Sequence, residues 1–156
     1  IRDSNKRGHT WYIHGYGYIW DIFMNEIKKL IQIALDNKEN SYSPYSHFRV
    51  SSVVKTKSGS IYKGVNIENA AYSPSLCAER SAMSAAISNG ERDFSYIVIN
   101  GDSKDTFPCG VCRQFIREFA DSDTKIVIAN SIDDYKEYTI EELLPYSFSN
   151  EDLKDI

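Results

Sequence analysis

The chain has 156 residues, of which 42% are hydrophobic and 26% charged, and a formal net charge of −4. That is an ordinary globular balance, in a chain long enough to bury one core. The acidic excess offers no basic field for nucleic acid or an anionic membrane, the apolar runs are far too short for a membrane span, and the first residues do not read as a secretion signal.

Residues 1–23, IRDSNKRGHTWYIHGYGYIWDIF, are rich in glycine and aromatics and show no period. They read as a leader or appended segment, or else as an arm that packs on the domain or on a second subunit. The domain proper is expected over 24–156. From Met24, the residues Ile27, Leu30, Ile31, Ala34 and Leu35 recur at helical spacing, with Lys28, Lys29, Gln32 and Asp36 on the other face. Pro44 in SYSPYSHF breaks that helix. FRVSSVVKT and SIYKGVNIE then read as strands of a hairpin turned at KSGS.

A second helix is expected from about Cys77 to Asn89, with Gly90 past its end. SYIVIN follows as a buried strand. Pro108 precedes a third helix, roughly Gly110 to Ala120, with Phe115, Ile116 and Phe119 as its apolar stripe. KIVIAN is another buried strand and KEYTI a weaker one. Thr139 and Glu142 form a capping box for a short last helix, EELL. Continuous apolar strands alternating with helices imply a sheet covered on both faces. The fold class is α/β, as a three-layer α/β/α sandwich.

Cys77, Cys109 and Cys112 are the only cysteines. An odd, small number argues against a disulfide framework and for a reducing compartment, the cytoplasm. Cys77 falls at the start of one expected helix, and Cys109 and Cys112 at the start of another, on one face. Two helix N-termini pointing together can bring three thiols to one point. The positive end of each helix favours the thiolate. Thiolates suit zinc, and three ligands leave its fourth position open, as in catalytic sites. His47 is the one histidine within 24–156 that could close it.

Zinc with three thiolates is net negative, so compensation is expected nearby. Arg80 shares a helix face with Cys77 and can donate to the sulfurs; otherwise it is a solvated surface charge. Arg113, next to Cys112, is a weaker candidate. Glu79 can exchange protons at the open position, or simply favour the helix dipole.

C-A-E with P-C-G-V-C resembles the zinc deaminase signature. PYSHFRV, GVNIENAAY, CAERSAM, PCGVCRQF and EELLPYSF, in that order, are similar to the small homotetrameric cytidine deaminases, over about Met24 to Leu153. The resemblance implies a mixed five-stranded sheet and one zinc ion per subunit on Cys77, Cys109 and Cys112. It implies Glu79 as the proton carrier and Arg80 as the group that tempers the thiolates. Phe48 would pack on the pyrimidine, Asn66 and Glu68 would bond the ribose 3′-hydroxyl, and the Ala78 amide would contact the carbonyl side of the base. Tyr72 and Phe148 would reach a neighbouring subunit's site. The partner so implied is a small nucleoside, with no nucleic-acid polymer and no membrane. Two departures stand out. Ser51-Ser52 replaces the usual Gly-Ala. Tyr146 replaces a usual glycine and is expected to alter the turn that presents Phe148.

The reaction so implied is hydrolysis of cytidine and 2′-deoxycytidine to the uridines and ammonia. One alternative is a deaminase of another aminopyrimidine nucleoside such as blasticidin S, against which Glu68 argues. Another is a non-catalytic zinc module that joins subunits, which predicts a closed fourth position. A redox C-x-x-C protein would leave Cys77 and Glu79 unexplained.

Overall fold

Asn25 caps helix α1 (Glu26–Asn37) by accepting from the Lys28 amide at 3.0 Å. The computed structural model describes residues 25–154, so the 1–23 segment and Met24 lie outside the described residues. After α1 and a short 3-10 turn (Lys38–Asn40) come β1 (Val50–Thr56), β2 (Ile61–Val65) and α2 (Ala78–Ser88). They are followed by β3 (Phe94–Gly101), α3 (Gly110–Phe119), β4 (Lys125–Ala129), β5 (Tyr135–Tyr138) and the single-turn α4 (Ile140–Leu143).

The strands form one five-stranded sheet in the order β2-β1-β3-β4-β5. Only β3 and β4 pair in parallel, so the sheet is mixed. The parallel pair is joined by α3, a crossover of the kind parallel strands require. Alternation along each strand sends side chains to opposite faces. Val53, Val98 and Val127 pack with Leu30, Ile31 and Ala34 of α1 on one face. Val54, Ile97, Ile99, Ile126 and Ile128 meet Met83 and Ala86 of α2, Ile116 of α3 and Ile140 of α4 on the other. The two faces confirm the three-layer sandwich. Each fully buried Val, Leu or Ile contributes roughly 1.5–3 kcal/mol, which makes these two clusters the main stabilising term.

The expected boundaries hold to within a few residues. Asn89 ends α2 and Gly90 follows at φ 91°, as a helix C-terminus prefers. The Thr139–Glu142 capping box is formed. The strand expected over SIYKGVNIE stops at Val65, but Ile67 continues it as a bridge to Tyr42 on one side and Leu76 on the other. A second capping box, between Ser149 and Asp152, opens a 3-10 turn at Asn150–Leu153 that the sequence pattern did not suggest.

Ser51 and Ser52, in place of Gly-Ala, are fully buried. Ser51 Oγ accepts from Asn37 Nδ2 at 3.2 Å, a bond that ties the end of α1 to the sheet. Gly64 on β2 serves closeness rather than turning. A Cβ there would lie 2.3 Å from the Ala82 nitrogen and 2.7 Å from the Ala78 oxygen. The first turn of α2 therefore rests directly on the β2 backbone.

Candidate active site

Cys77 is the N-cap of α2 and Cys109 the N-cap of α3, both with extended backbone, and Cys112 lies three residues into α3. Helix starts present unpaired N–H groups and the positive end of the dipole. The three Sγ atoms lie within 4.8 Å of one another, and Cys77 and Cys109 approach to 3.8 Å. Arg80 Nη2 lies 3.7 Å from Cys77 Sγ, which resolves it as a donor to the sulfurs rather than a solvated charge. Arg113 turns away. Its Nε donates to the Pro108 carbonyl at 2.9 Å and its Nη1 to the Leu143 carbonyl at 2.8 Å, so it braces the metal turn against α4 and is no charge partner of the thiols. The reason is backbone demand: those two carbonyls need donors where the chain leaves regular structure.

The thiols oppose one another electrically. Cys77 is drawn down to about 5, first by the hydrogen bond from the Cys112 thiol and then by Arg80 and Cys109. Cys112 is pushed up by that same bond with Cys77, by burial and by Glu79. One sulfur ionises readily while its neighbour resists, so the thiols do not share charge evenly. Three soft donors, two helix dipoles and a guanidinium fit zinc. Among the described residues the group holds these three alone, and His47 does not join it. Cys77, Cys109 and Cys112 would hold the ion, with the fourth position left open.

Glu79 is 4% exposed on the first turn of α2. Burial raises its carboxyl to about 7, and the Cys77 charge adds to the rise. It is therefore poised to carry a proton near neutral pH. Ala78 is fully buried as the first residue of α2, so its amide has no intrahelical partner.

A rim of loops carries the remaining candidates. A pocket of about 510 Å³ is lined by Tyr45, Ser46, Glu68, Tyr72 and Ser75. The Tyr45 and Tyr72 rings meet edge to face at 6.2 Å. Glu68 accepts from the Tyr45 amide at 2.8 Å and from the Ser46 amide and hydroxyl. Those donors, the Ser46 hydroxyl first, hold its carboxyl below the usual range. Asn66 faces the same loop. Its amide donates to the Phe48 carbonyl at 2.7 Å and its oxygen accepts from Val50 N–H at 2.9 Å. Its amide group thus shapes the loop that carries Phe48.

Phe48 is 36% exposed. Tyr72, at φ 58°, lines this chain's own pocket. Phe148 is exposed, with its carbonyl held by Gln114 Nε2 at 3.0 Å. Tyr146 sits at φ 56°, in the left-handed region where glycine is at ease. A tyrosine there bears backbone strain that a glycine would not.

Residues 24–129 match the family model for the cytidine and deoxycytidylate deaminase zinc-binding region. The chain belongs to the zinc-dependent cytidine deaminase family. A cytidine deaminase from Halalkalibacterium halodurans is 43% identical over 127 residues, covering 81% of this chain and 96% of that one. A probable cytidine deaminase from Dictyostelium discoideum is 42% identical over 130 residues, covering 82% of this chain and 87% of that one. The crystal structure of cytidine deaminase from Burkholderia pseudomallei superposes with a TM-score of 0.73 at 34% identity, covering 80% of this chain and all of that one. This cytidine deaminase family member carries two features that sequence reasoning missed. Ser46 gives no sign of its role in the sequence, because the partner of its hydroxyl, Glu68, is 22 residues away. The burial of Glu79 was hidden because helical spacing alone does not show which neighbours close over it.

Proposed function

We propose that the chain is a cytidine deaminase, releasing ammonia from cytidine and 2′-deoxycytidine to give the uridines. The observation that carries this is the pairing of the three-thiol cluster with a buried, neutral-range Glu79 two residues from Cys77. Zinc held there supplies Lewis acidity that makes water nucleophilic near neutral pH.

The chain's own residues do the rest. Glu79 takes one proton from the incoming water and delivers it to ring nitrogen 3, then takes the second from the hydroxyl now on carbon 4 and gives it to the amino group, which leaves as ammonia as the carbonyl forms. Its raised pKa matches that task, since a carboxyl near 7 both accepts and gives readily. Arg80 limits the negative charge on Cys77. Phe48 packs on the pyrimidine, and the Ala78 amide donates to the base carbonyl. Asn66 and Glu68 read the ribose 3′-hydroxyl, Asn66 in large part by shaping the Phe48 loop. A carboxylate acceptor there favours an ordinary nucleoside over blasticidin S. The open fourth ligand position disfavours a purely structural zinc module.

Residues 24–156 are the catalytic domain in this reading. It assembles as a homotetramer with shared sites, each completed by Phe148 of a neighbour, while Tyr72 lines the pocket of its own chain. Exposed Tyr42, Phe107, Val111 and Phe148 supply apolar surface for such contacts. No helix among the described residues is long and apolar enough to cross a membrane. The need for three reduced thiols points to the cytoplasm.

The test follows cytidine to uridine by ultraviolet absorbance, using zinc-replete wild type and Glu79→Gln. The variant is expected to keep its zinc and its fold while kcat drops about 10²–10⁴-fold. A zinc-replete wild type with no turnover would sink the enzyme reading. An active glutamine variant would sink the role of Glu79.

A further inference from the structure

One hydroxyl links Glu68, which lines the 510 Å³ pocket, to the backbone of Phe48. Ser46 Oγ donates to Glu68 Oε1, and it accepts from the backbone N–H of Phe48 at 3.1 Å. The geometry depends on the residue between them. His47 takes φ 55°, and this left-handed step folds the chain back so that the Phe48 amide reaches the Ser46 side chain. The Ser46 amide also donates to both Glu68 oxygens, at 3.3 and 3.1 Å, and the Tyr45 amide donates to Oε2 at 2.8 Å. Ser46 and Glu68 line the same 510 Å³ pocket.

An ionised carboxylate accepts only, with about four lone-pair sites. Tyr45 N–H, Ser46 N–H and Ser46 O–H supply three donors, the Ser46 N–H being shared between both oxygens. Three donors on about four sites leave about one for a ligand hydroxyl from the pocket that Glu68 lines. We propose that Ser46 is a positioning residue that locks the Glu68 carboxylate and Phe48 in one mutual geometry, and so sets how strongly the site demands a sugar 3′-hydroxyl. This rests on the reading that Glu68 accepts from that hydroxyl.

Removing the Ser46 hydroxyl leaves the backbone donors in place, so the fold is retained. Oε1 then has only the long amide contact, and the Phe48 amide has no acceptor. The carboxylate is free to turn, and its pairing with the sugar loses precision. A site built around a substrate hydroxyl discriminates by large factors, so a loosened acceptor shows up first in the discrimination ratio.

The zinc-loaded enzyme would be assayed with cytidine and with 3′-deoxycytidine, as wild type, Ser46→Ala, Ser46→Cys and Ser46→Thr, with zinc content and Tm recorded for each. Wild type is expected to favour cytidine in kcat/KM by about 10²-fold or more. Ser46→Ala should cut that ratio by about tenfold, the worth of one hydrogen bond to a charged group. The loss should fall mainly in KM for cytidine, while 3′-deoxycytidine turnover declines much less. Ser46→Thr should recover the ratio, and Ser46→Cys, a weak donor of similar size, should resemble alanine and stands in for it if alanine folds poorly. A wild-type ratio in both Ser46→Ala and Ser46→Cys, or an equal loss on both substrates, overturns the proposal. A wild type that does not distinguish the two nucleosides overturns the Glu68 reading itself, and the Ser46 proposal with it.

Discussion

Ala78, Glu79 and Cys112 are 0%, 4% and 0% exposed, on helices laid against the sheet, whereas Tyr72 and Phe148 are 75% and 61% exposed on segments without regular structure. The first region is held by backbone contact and a continuous apolar core. The second is held by hydrogen bonds between loops, such as Gln114 to the Phe148 carbonyl and the Tyr45 and Ser46 donors to Glu68. In the proposed function the chemical step needs a fixed metal and a fixed proton carrier, and the groups assigned to it stand on rigid elements. Recognition needs surfaces that a substrate can enter, so its groups sit on loops. The difference predicts that damage to the centre is large and shared between stability and turnover. Damage to the rim should be small and selective.

Gly64→Ala is the sharpest way to break the centre without touching a ligand. The new Cβ meets backbone atoms of Ala78 and Ala82 at under 3.0 Å, so the first turn of α2 has to lift. Overpacking of this kind costs typically about 1–3 kcal/mol. Because Cys77 caps that turn, zinc retention should weaken along with Tm, and kcat should fall. Chelator competition, thermal melts and cytidine kinetics on one preparation would check this. A variant with normal zinc retention and normal kcat would mean that the depth of α2 does not set the centre.

The centre was legible in the sequence, and the rim was not. Two cysteines at a helix-start spacing and a third at another helix start imply convergence, because helix starts are marked by local signals. The strands were legible because KIVIAN and SYIVIN are apolar throughout, as double-sided burial requires. Phe48, Tyr72 and Phe148 could be named only by resemblance, since an aromatic in a loop carries no local sign of its partner. Arg113 shows the same limit. Adjacency to Cys112 suggested the thiols, but the Pro108 and Leu143 carbonyls claimed the guanidinium. Tyr146 was seen as a departure, and its strain became visible only as a backbone angle.

That strain offers a milder test on the rim. The Tyr146 side chain is fully exposed, so replacing it loses no packing within the chain. A left-handed non-glycine residue costs roughly 1–2 kcal/mol, and glycine returns about 0.4–1 kcal/mol of that through the flexibility of the unfolded chain. Tyr146→Gly should therefore stabilise by up to about 1.5 kcal/mol, a Tm rise of up to about 6 °C. Its kcat/KM should stay within about twofold of wild type if Phe148 is presented unchanged. A fall in Tm instead would show that the tyrosine packs between subunits.

The smallest effect is expected where the rim is clipped to the sheet. Arg49, next to Phe48, donates through its amide and Nε to Asp102 Oδ2 at 2.8 and 3.1 Å, and through Nη2 to Oδ1 at 3.0 Å. Lys38 lies 3.4 Å from the same carboxylate. Arg49 first, helped by Lys38, pulls Asp102 from 3.8 down to about 2. A folded-state pKa below the unfolded one means stability that is present above about pH 4 and is lost as pH falls toward 2. The Asp102 side chain is a quarter exposed and solvent screens the pair, so the contribution is under about 1 kcal/mol. Asp102→Asn should be less stable than wild type by that amount at pH 7, and the gap should close between pH 4 and 2. Comparing the two proteins at each pH cancels the loss of metal in acid, which both share. A gap that stays constant through that range would assign the clip to hydrogen bonding alone, with no share from charge. A gap of several kcal/mol would mean that this corner of the rim is as firmly built as the centre, and the contrast between the two regions would not extend to Phe48.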